Sequence, residues 1–171
     1  NTIIVLLNNT IICNGQGWIL SNKITGSLIE PKYSVIDDFD NHYFLAPFFD
    51  TIYSPINLIS TGNRDLALIK INKNGNVLWF HKIGSTDAEV AGGITKDNQN
   101  NIYVTGTFRK TCYFTASDSL VSTGNGDIFL AKYNQNGIFQ WAKRIGSAAT
   151  LQASSDIIFD GNTSLILCGY Y

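Results

Sequence analysis

Ser122-Thr123-Gly124-Asn125-Gly126-Asp127-Ile128-Phe129-Leu130-Ala131-Lys132-Tyr133-Asn134-Gln135-Asn136-Gly137, running on to Trp141 and Ile145-Gly146-Ser147, occurs twice in this chain. The other copy lies 62 residues earlier, from Ser60-Thr61-Gly62-Asn63-Arg64-Asp65 through Trp79 to Ile83-Gly84-Ser85, and 14 of 26 aligned positions are identical. Self-similarity at a fixed period decides architecture before any single residue does. The shared residues are turn formers and β-formers, so the repeating unit is a β-sheet module.

Working outward, Asn-Gly between two apolar runs marks a hairpin, because that turn needs positive φ. Ile128–Tyr133 and Ile138–Ile145 flank Asn134–Gly137, as Leu66–Ile71 and Val77–Ile83 flank Lys73-Asn74-Gly75. Upstream of each pair lie two further strand patterns: Val35-Ile36-Asp37 with His42–Ala46, and Ala91–Thr95 with Asn101–Phe108. The unit therefore has four strands, A to D. Ile157-Ile158-Phe159 and Ser164–Cys168 are another A and B. At the N-terminus Ile3–Leu7, Thr10–Cys13, Trp18–Ser21 and Ser27–Ile29 read as a diverged copy, with Thr25-Gly26 as its C–D turn.

No segment has a helical period. The expected fold is all-β: a β-propeller of four-stranded antiparallel blades, about three and a half of them present as a partial propeller. The expected blades are 1–31 (diverged), 32–86, 87–149 and 150–171 (incomplete), within one domain at 1–171. Pro47 stands where the other units carry Gly15, Gly106 and Gly169, so the second unit's strand B is expected to end there.

Composition narrows the function classes. Charged residues are 15% of the chain and the net charge is −1, which gives no electrostatic case for nucleic acid or an anionic membrane. No apolar run reaches the roughly 18 residues of a spanning helix. There is no methionine and no signal-peptide pattern, so a mature product or internal fragment is expected. The three cysteines, Cys13, Cys112 and Cys168, lack metal-ligand spacing, and Cys13 and Cys168, in strand-like runs, read as small apolar residues. His42 and His81 likewise have no ligand partners at useful spacing. No metal or cofactor is expected.

The motifs resemble the bacterial β-propeller repeat called SBBP. Its Gly-Asp-x-Phe-x-Ala-Lys, then Gly and Trp, is similar to Gly126-Asp127, Phe129, Ala131-Lys132, Gly137 and Trp141. Its second hallmark is similar to Ile94–Asp97 followed by Asn101–Gly106. Arg64 and Asn100 depart from the pattern, and the likeness covers about residues 58–171. The resemblance implies a propeller, of seven blades in the family's usual form, often in secreted or surface proteins, and no particular chemistry.

In such a blade the B–C and D–A connections share one face. Phe48–Arg64 and Arg109–Gly126 are the long ones, and long loops on a rigid scaffold are where binding concentrates. Arg64, Asp87, Glu89, Arg109 and Lys110 are the candidate binding residues. Asp87 and Glu89 stand out because the next copy carries Ala149 and Leu151 at the aligned positions. Asp38, Asp97 and Asp160 fall in register at the end of strand A and are expected to cap the A–B turn. Asp65 and Asp127 are expected to bond local backbone. Asp37–Asn41 lacks the Gly and distal Glu of a calcium loop. Trp79 and Trp141 read as packing, and Lys70 and Lys132 as packed stems with solvated amines. Asn8-Asn9-Thr10 and Asn162-Thr163-Ser164 match the glycosylation acceptor pattern.

The expected function is a non-enzymatic binding or scaffolding module, extracellular or on a cell surface, recognising a protein or glycan. The alternatives are a propeller enzyme of lyase or glycosidase type with carboxylates at the channel mouth, and a purely structural spacer. Strand B of the last unit would expose an apolar edge, so further blades of a longer chain are expected.

Overall fold

Strands whose alternate side chains are Val, Ile, Leu, Phe and Tyr must bury one face, or both, against a neighbouring layer. In a computed structural model of the chain, residues 31–53, 56–147 and 151–170 are described in full, and residues 4–6, 10–14, 17–21 and 25–26 as strand backbone. Every regular element among them is a strand. None of them is a helix that could cross a membrane.

In chain order, β1 (Ile4–Leu6), β2 (Thr10–Asn14) and β3 (Gly17–Ser21) form a three-stranded sheet. The expected turn at Thr25-Gly26 is instead β4 (Thr25–Gly26), which pairs with β7 rather than closing a hairpin. The expected fourth strand at Ser27–Ile29 lies outside the described residues. The second sheet takes β5 (Tyr33–Ile36), β6 (His42–Phe48), β9 (Asp65–Ile71) and β10 (Val77–Ile83) in the order β10-β9-β6-β5. The third takes β11 (Val90–Lys96), β12 (Ile102–Phe108), β15 (Asp127–Tyr133) and β16 (Phe139–Ile145) in the order β11-β12-β15-β16. β17 (Ala153–Phe159) and β18 (Leu165–Tyr170) form a final antiparallel pair. The chain is thus all-β, with four-stranded antiparallel sheets of propeller-blade type.

The sheets stack. Tyr43, Leu45, Leu66 and Leu68 face the third sheet and join Ile102, Val104, Phe129, Ala131 and Tyr133 in one core. The alternate residues Phe44, Phe48, Ala67, Ile69 and Ile71 face the other way, with Ile52 and Ile56, in a second core. Burial on both faces is why β9 reads as a near-continuous apolar run. The A strands β5, β11 and β17 neighbour one another. Gly92 permits that closeness: a Cβ there would fall 2.0 Å from Ser154 Oγ.

The structure differs from further expectations in strand β6 and in the long connections. Strand β6 does not stop at Pro47; it pairs with β9 as far as Phe48, opposite Asp65. The side of Leu45 facing β5 takes its last bond from the Lys32 amide, and β5 begins at Tyr33, so among the described residues no strand lies opposite Pro47 to miss its N–H. The true counterpart of Gly106 is Ala46, since these residues face Phe129 and Ala67 across the ladder. The long connections are also not plain loops. Phe48–Arg64 contains β7 (Thr51–Tyr53) and β8 (Leu58–Ile59), and Arg109–Gly126 contains the hairpin of β13 (Thr111–Tyr113) and β14 (Ser119–Val121). Cys112 and Phe114 alternate inward from that hairpin and are fully or almost fully buried.

Candidate functional site

Three polar constellations recur or converge, and each grows from a local turn. In the first, the A–B turn closes on an aspartate. Asp37 Oδ1 accepts the amides of Phe39 and Asn41, and Asp37 Oδ2 accepts the Tyr43 hydroxyl at 2.9 Å. Asp97 repeats this with Gln99, Asn101 and Tyr103, and Asp160 repeats its backbone part, accepting the amides of Asn162, Thr163 and Ser164, with Ile166 in place of the tyrosine. The residue in register is therefore Asp37, not Asp38, which instead pairs with Lys96 at the surface. Lys70 and Lys132 are not free amines: each reaches the turn aspartate, at 3.3 and 3.9 Å. Burial pushes Asp37 up, but the Asn41, Phe39 and Tyr43 hydrogen bonds outweigh it and bring it down to about 2.

The second constellation opens strand C. Asp65 and Asp127 are fully buried; each accepts a backbone amide four residues back, from Thr61 and Thr123. Lys82 lies 3.6 Å from Asp65 and Arg144 3.1 Å from Asp127, one strand over. Gly84 and Gly146 recur because the aspartates lie against them: a Cβ on either would fall 2.3 Å from the carboxyl group. The remaining oxygens, Asp65 Oδ1 and Asp127 Oδ1, have no hydrogen-bond partner among the described residues.

Glu89 completes the first of these. It is fully buried, and its Oε2 accepts the Ser85 amide at 2.9 Å. Its own amide bonds the Arg64 carbonyl, just as the Gln152 amide bonds the Gly126 carbonyl. Gln152 Nε2 in turn reaches Ser147, the counterpart of Ser85. Glu89 thus corresponds to Gln152, not to Leu151, because the second connection is one residue longer. Desolvation raises the Glu89 carboxyl; the Ser85 hydrogen bonds oppose it, the Asp65 and Asp87 charges add to it, and the result is about 7.

The sequence-predicted residues divide around this seam. Arg64 donates from Nε to the Glu89 carbonyl at 2.9 Å and lies over the Phe49 ring. Asp87 and Lys110 face each other at 3.7 Å across the two sheets. Arg109 stands apart, its Nε bonded to the Asn125 carbonyl of its own loop. Glu89 is shut away from solvent and is not at an open mouth. Arg64, Asp87, Glu89 and Lys110 therefore come together, but as a clasp between sheets.

The third feature was not legible in the sequence. A groove of about 500 Å³ runs between β10 and the β13–β14 hairpin. Leu58, Phe80, Tyr113 and Phe114 give it an apolar lining, with Lys82 and Thr86 as polar groups. Its end is fixed by a two-bond bridge, in which the Gly84 and Tyr113 amides each donate to the other residue's carbonyl. His81 lines it too, and burial lowers its pKa, so it is a neutral ring at physiological pH. Among the described residues no three His, Cys, Asp or Glu side chains converge as a metal site would need.

No protein-family profile matches the chain. It is 32% identical over 127 residues to an uncharacterized WD repeat-containing protein of Acanthamoeba polyphaga mimivirus, a match covering 71% of this chain. The same match covers 9% of that much longer relative. WD repeats build β-propeller blades of four strands. The stacked sheets and this likeness together point to a repeat, β-propeller-like family.

Proposed function

We propose that the chain is a non-enzymatic binding or scaffolding module, a segment of a longer secreted or cell-surface β-propeller of SBBP type, recognising a protein or glycan through the face that carries its inserted hairpins. The observation that carries this reading is the groove between β10 and the β13–β14 hairpin. It is apolar, open and about 500 Å³, and Tyr113 is half exposed on its rim. Aromatic side chains beside a few polar groups are what both protein and sugar ligands use. An enzyme of the lyase or glycosidase kind would need carboxylates that a substrate can reach. Asp65 and Glu89 are fully buried and Asp87 is paired with Lys110, which favours binding over turnover.

The test is to screen the chain against a glycan array and a displayed-peptide library, and to re-measure any binder on Phe80→Ala and Tyr113→Ala. Affinity lost by tenfold or more, with melting unchanged, supports the groove. Binding that survives both changes places recognition elsewhere. A second reading, the structural spacer, draws on a specific observation: Arg64, Asp87, Glu89 and Lys110 spend their polar groups on the sheet junction. Failure of both screens would favour it.

A further inference from the structure

The two junctions between successive sheets are built alike except at two positions, of which one keeps its charge and the other changes it. Across the first, Asp65, Lys82, Gly84, Ser85 and Glu89 meet; across the second, Asp127, Arg144, Gly146, Ser147 and Gln152. A Cβ on Gly146 would lie 2.3 Å from Asp127 Oδ1 and 2.8 Å from Gln152 Oε1, so carboxylate and amide converge on that point. An amide can sit beside a buried carboxylate because it carries no charge. Glu89 occupies the same place with no solvent exposure, its Oε1 and Asp65 Oδ1 both buried without a partner among the described residues. Among the described residues Lys82 pairs with Asp65 and no cation pairs with Glu89, so an ionised Glu89 would stand as a second like charge out of water, which is disfavoured.

We propose that Glu89 is a proton-operated latch on the junction between the second and third sheets. With its proton on, it is a neutral counterpart of Gln152 and the junction closes. When the proton passes to water, a second negative charge stands beside Asp65 and the junction loosens, uncovering Cys112. The groups facing Glu89 support this. From β9 it meets Asp65, and from its own connection Asp87, both negative; from β13 it meets Cys112, whose thiol burial keeps neutral and the Glu89 and Asp65 charges raise further. Lys82 on β10 is drawn to Asp65, Lys110 to Asp87, and Arg64 bonds the Glu89 carbonyl oxygen rather than its carboxyl. No cation is committed to Glu89 itself among the described residues.

The sign follows from linkage. A carboxyl raised in the folded state from 4.5 to about 7 keeps its proton where the unfolded chain has lost it. Its stabilising contribution is complete below pH 4.5 and is lost as pH rises to about 7, with the folding constant falling by up to about tenfold per pH unit. His42 and His81, lowered by burial, work in the opposite direction, so the reading is a difference between variants.

The experiment melts the wild-type chain, Glu89→Gln and Gln152→Glu across pH 4 to 8. Glu89→Gln is expected to melt with wild type at the acid end and progressively above it toward pH 8. Gln152→Glu is expected to fall progressively below wild type over the same range. Alkylation of Cys112 at pH 8, in a Cys13→Ser, Cys168→Ser background, is expected to slow when Glu89→Gln is added. Differences that do not change with pH would overturn the latch. Should Glu89→Gln not fold, a carboxyl-carbon NMR titration of the wild-type chain decides: a midpoint near 7 for Glu89 upholds the proposal, and an ordinary one near 4.5 ends it.

Discussion

Asp37 shows how much one buried side chain can organise. It accepts two turn amides, the Asn41 side chain and the Tyr43 hydroxyl, and it faces Lys70. A carboxylate held by that many donors is favoured over its acid, so its folded pKa lies below the unfolded 3.8, at about 2. Such a group stabilises the fold above the unfolded value and loses that contribution as pH falls toward 2. We expect Asp37→Asn to cost about 2 kcal/mol at neutral pH, with the gap to wild type closing below pH 4 in urea titrations. A constant gap would mean the asparagine replaces the hydrogen bonds but not their shape. The recurrence of an aspartate at this turn was legible from spacing, and so was its capping role. Which of Asp37 and Asp38 fills it was not. The two are neighbours, and only the ladder that sets Ala46 opposite Ala67 and Gly106 opposite Phe129 fixes the alignment.

Elements hold one another by the same grammar. Trp79, on β10, lies edge-on to Tyr43 and beneath the Asn134–Gly137 turn of the next sheet. Its Nε1 and the Lys70 amine both donate to the Gln135 carbonyl, at 3.3 and 3.1 Å. A Cβ on Gly137 would fall 2.8 Å from the indole, so the turn's positive φ and its closeness to Trp79 require the same residue. Trp141 is the counterpart on β16, packed on Tyr103 and Lys143, but no such turn covers it among the described residues. We expect Trp79→Ala to cost about 3–4 kcal/mol and Trp141→Ala no more than about half of that, measured by chemical denaturation. Equal losses would show that the indole stabilises its own sheet and not the junction. The repeated tryptophan was legible as packing. Its partner was not, because a one-sheet pattern carries no information about which turn of the neighbour lies above it. The β13–β14 hairpin escaped for a related reason: Thr-Cys-Tyr is too short to signal a strand, and its order comes from Gly84 and from burial of Cys112 and Phe114.

At the scale of the whole chain, repetition made the sheets legible, and tertiary pairing settled what repetition could not. The period gave four strands per unit and a stack of such units, while the fate of Glu89 turned on a one-residue difference in a connection. The same repetition specifies what the last strands need. In the junction of the second and third sheets, β15 covers the edge of β12 and places Phe129 opposite Gly106, beside Cys112 and Phe114. In the next junction β18 pairs, among the described residues, with β17 alone, and a cleft of about 360 Å³ is left between Ile128, Ile145, Leu167, Gly169 and Tyr170. Ile158, Ile166 and Tyr170 are each about half exposed on that pair. An uncovered strand edge beside apolar side chains recruits another strand. The isolated 171-residue chain is therefore expected to associate with rising concentration in sedimentation velocity. Ile158→Lys with Ile166→Lys should return it to a monomer without lowering the stability of the second and third sheets, since neither side chain belongs to their cores. A chain that stays monomeric at all concentrations would mean that β18 is covered by residues of the chain itself, and that the cleft is a finished surface.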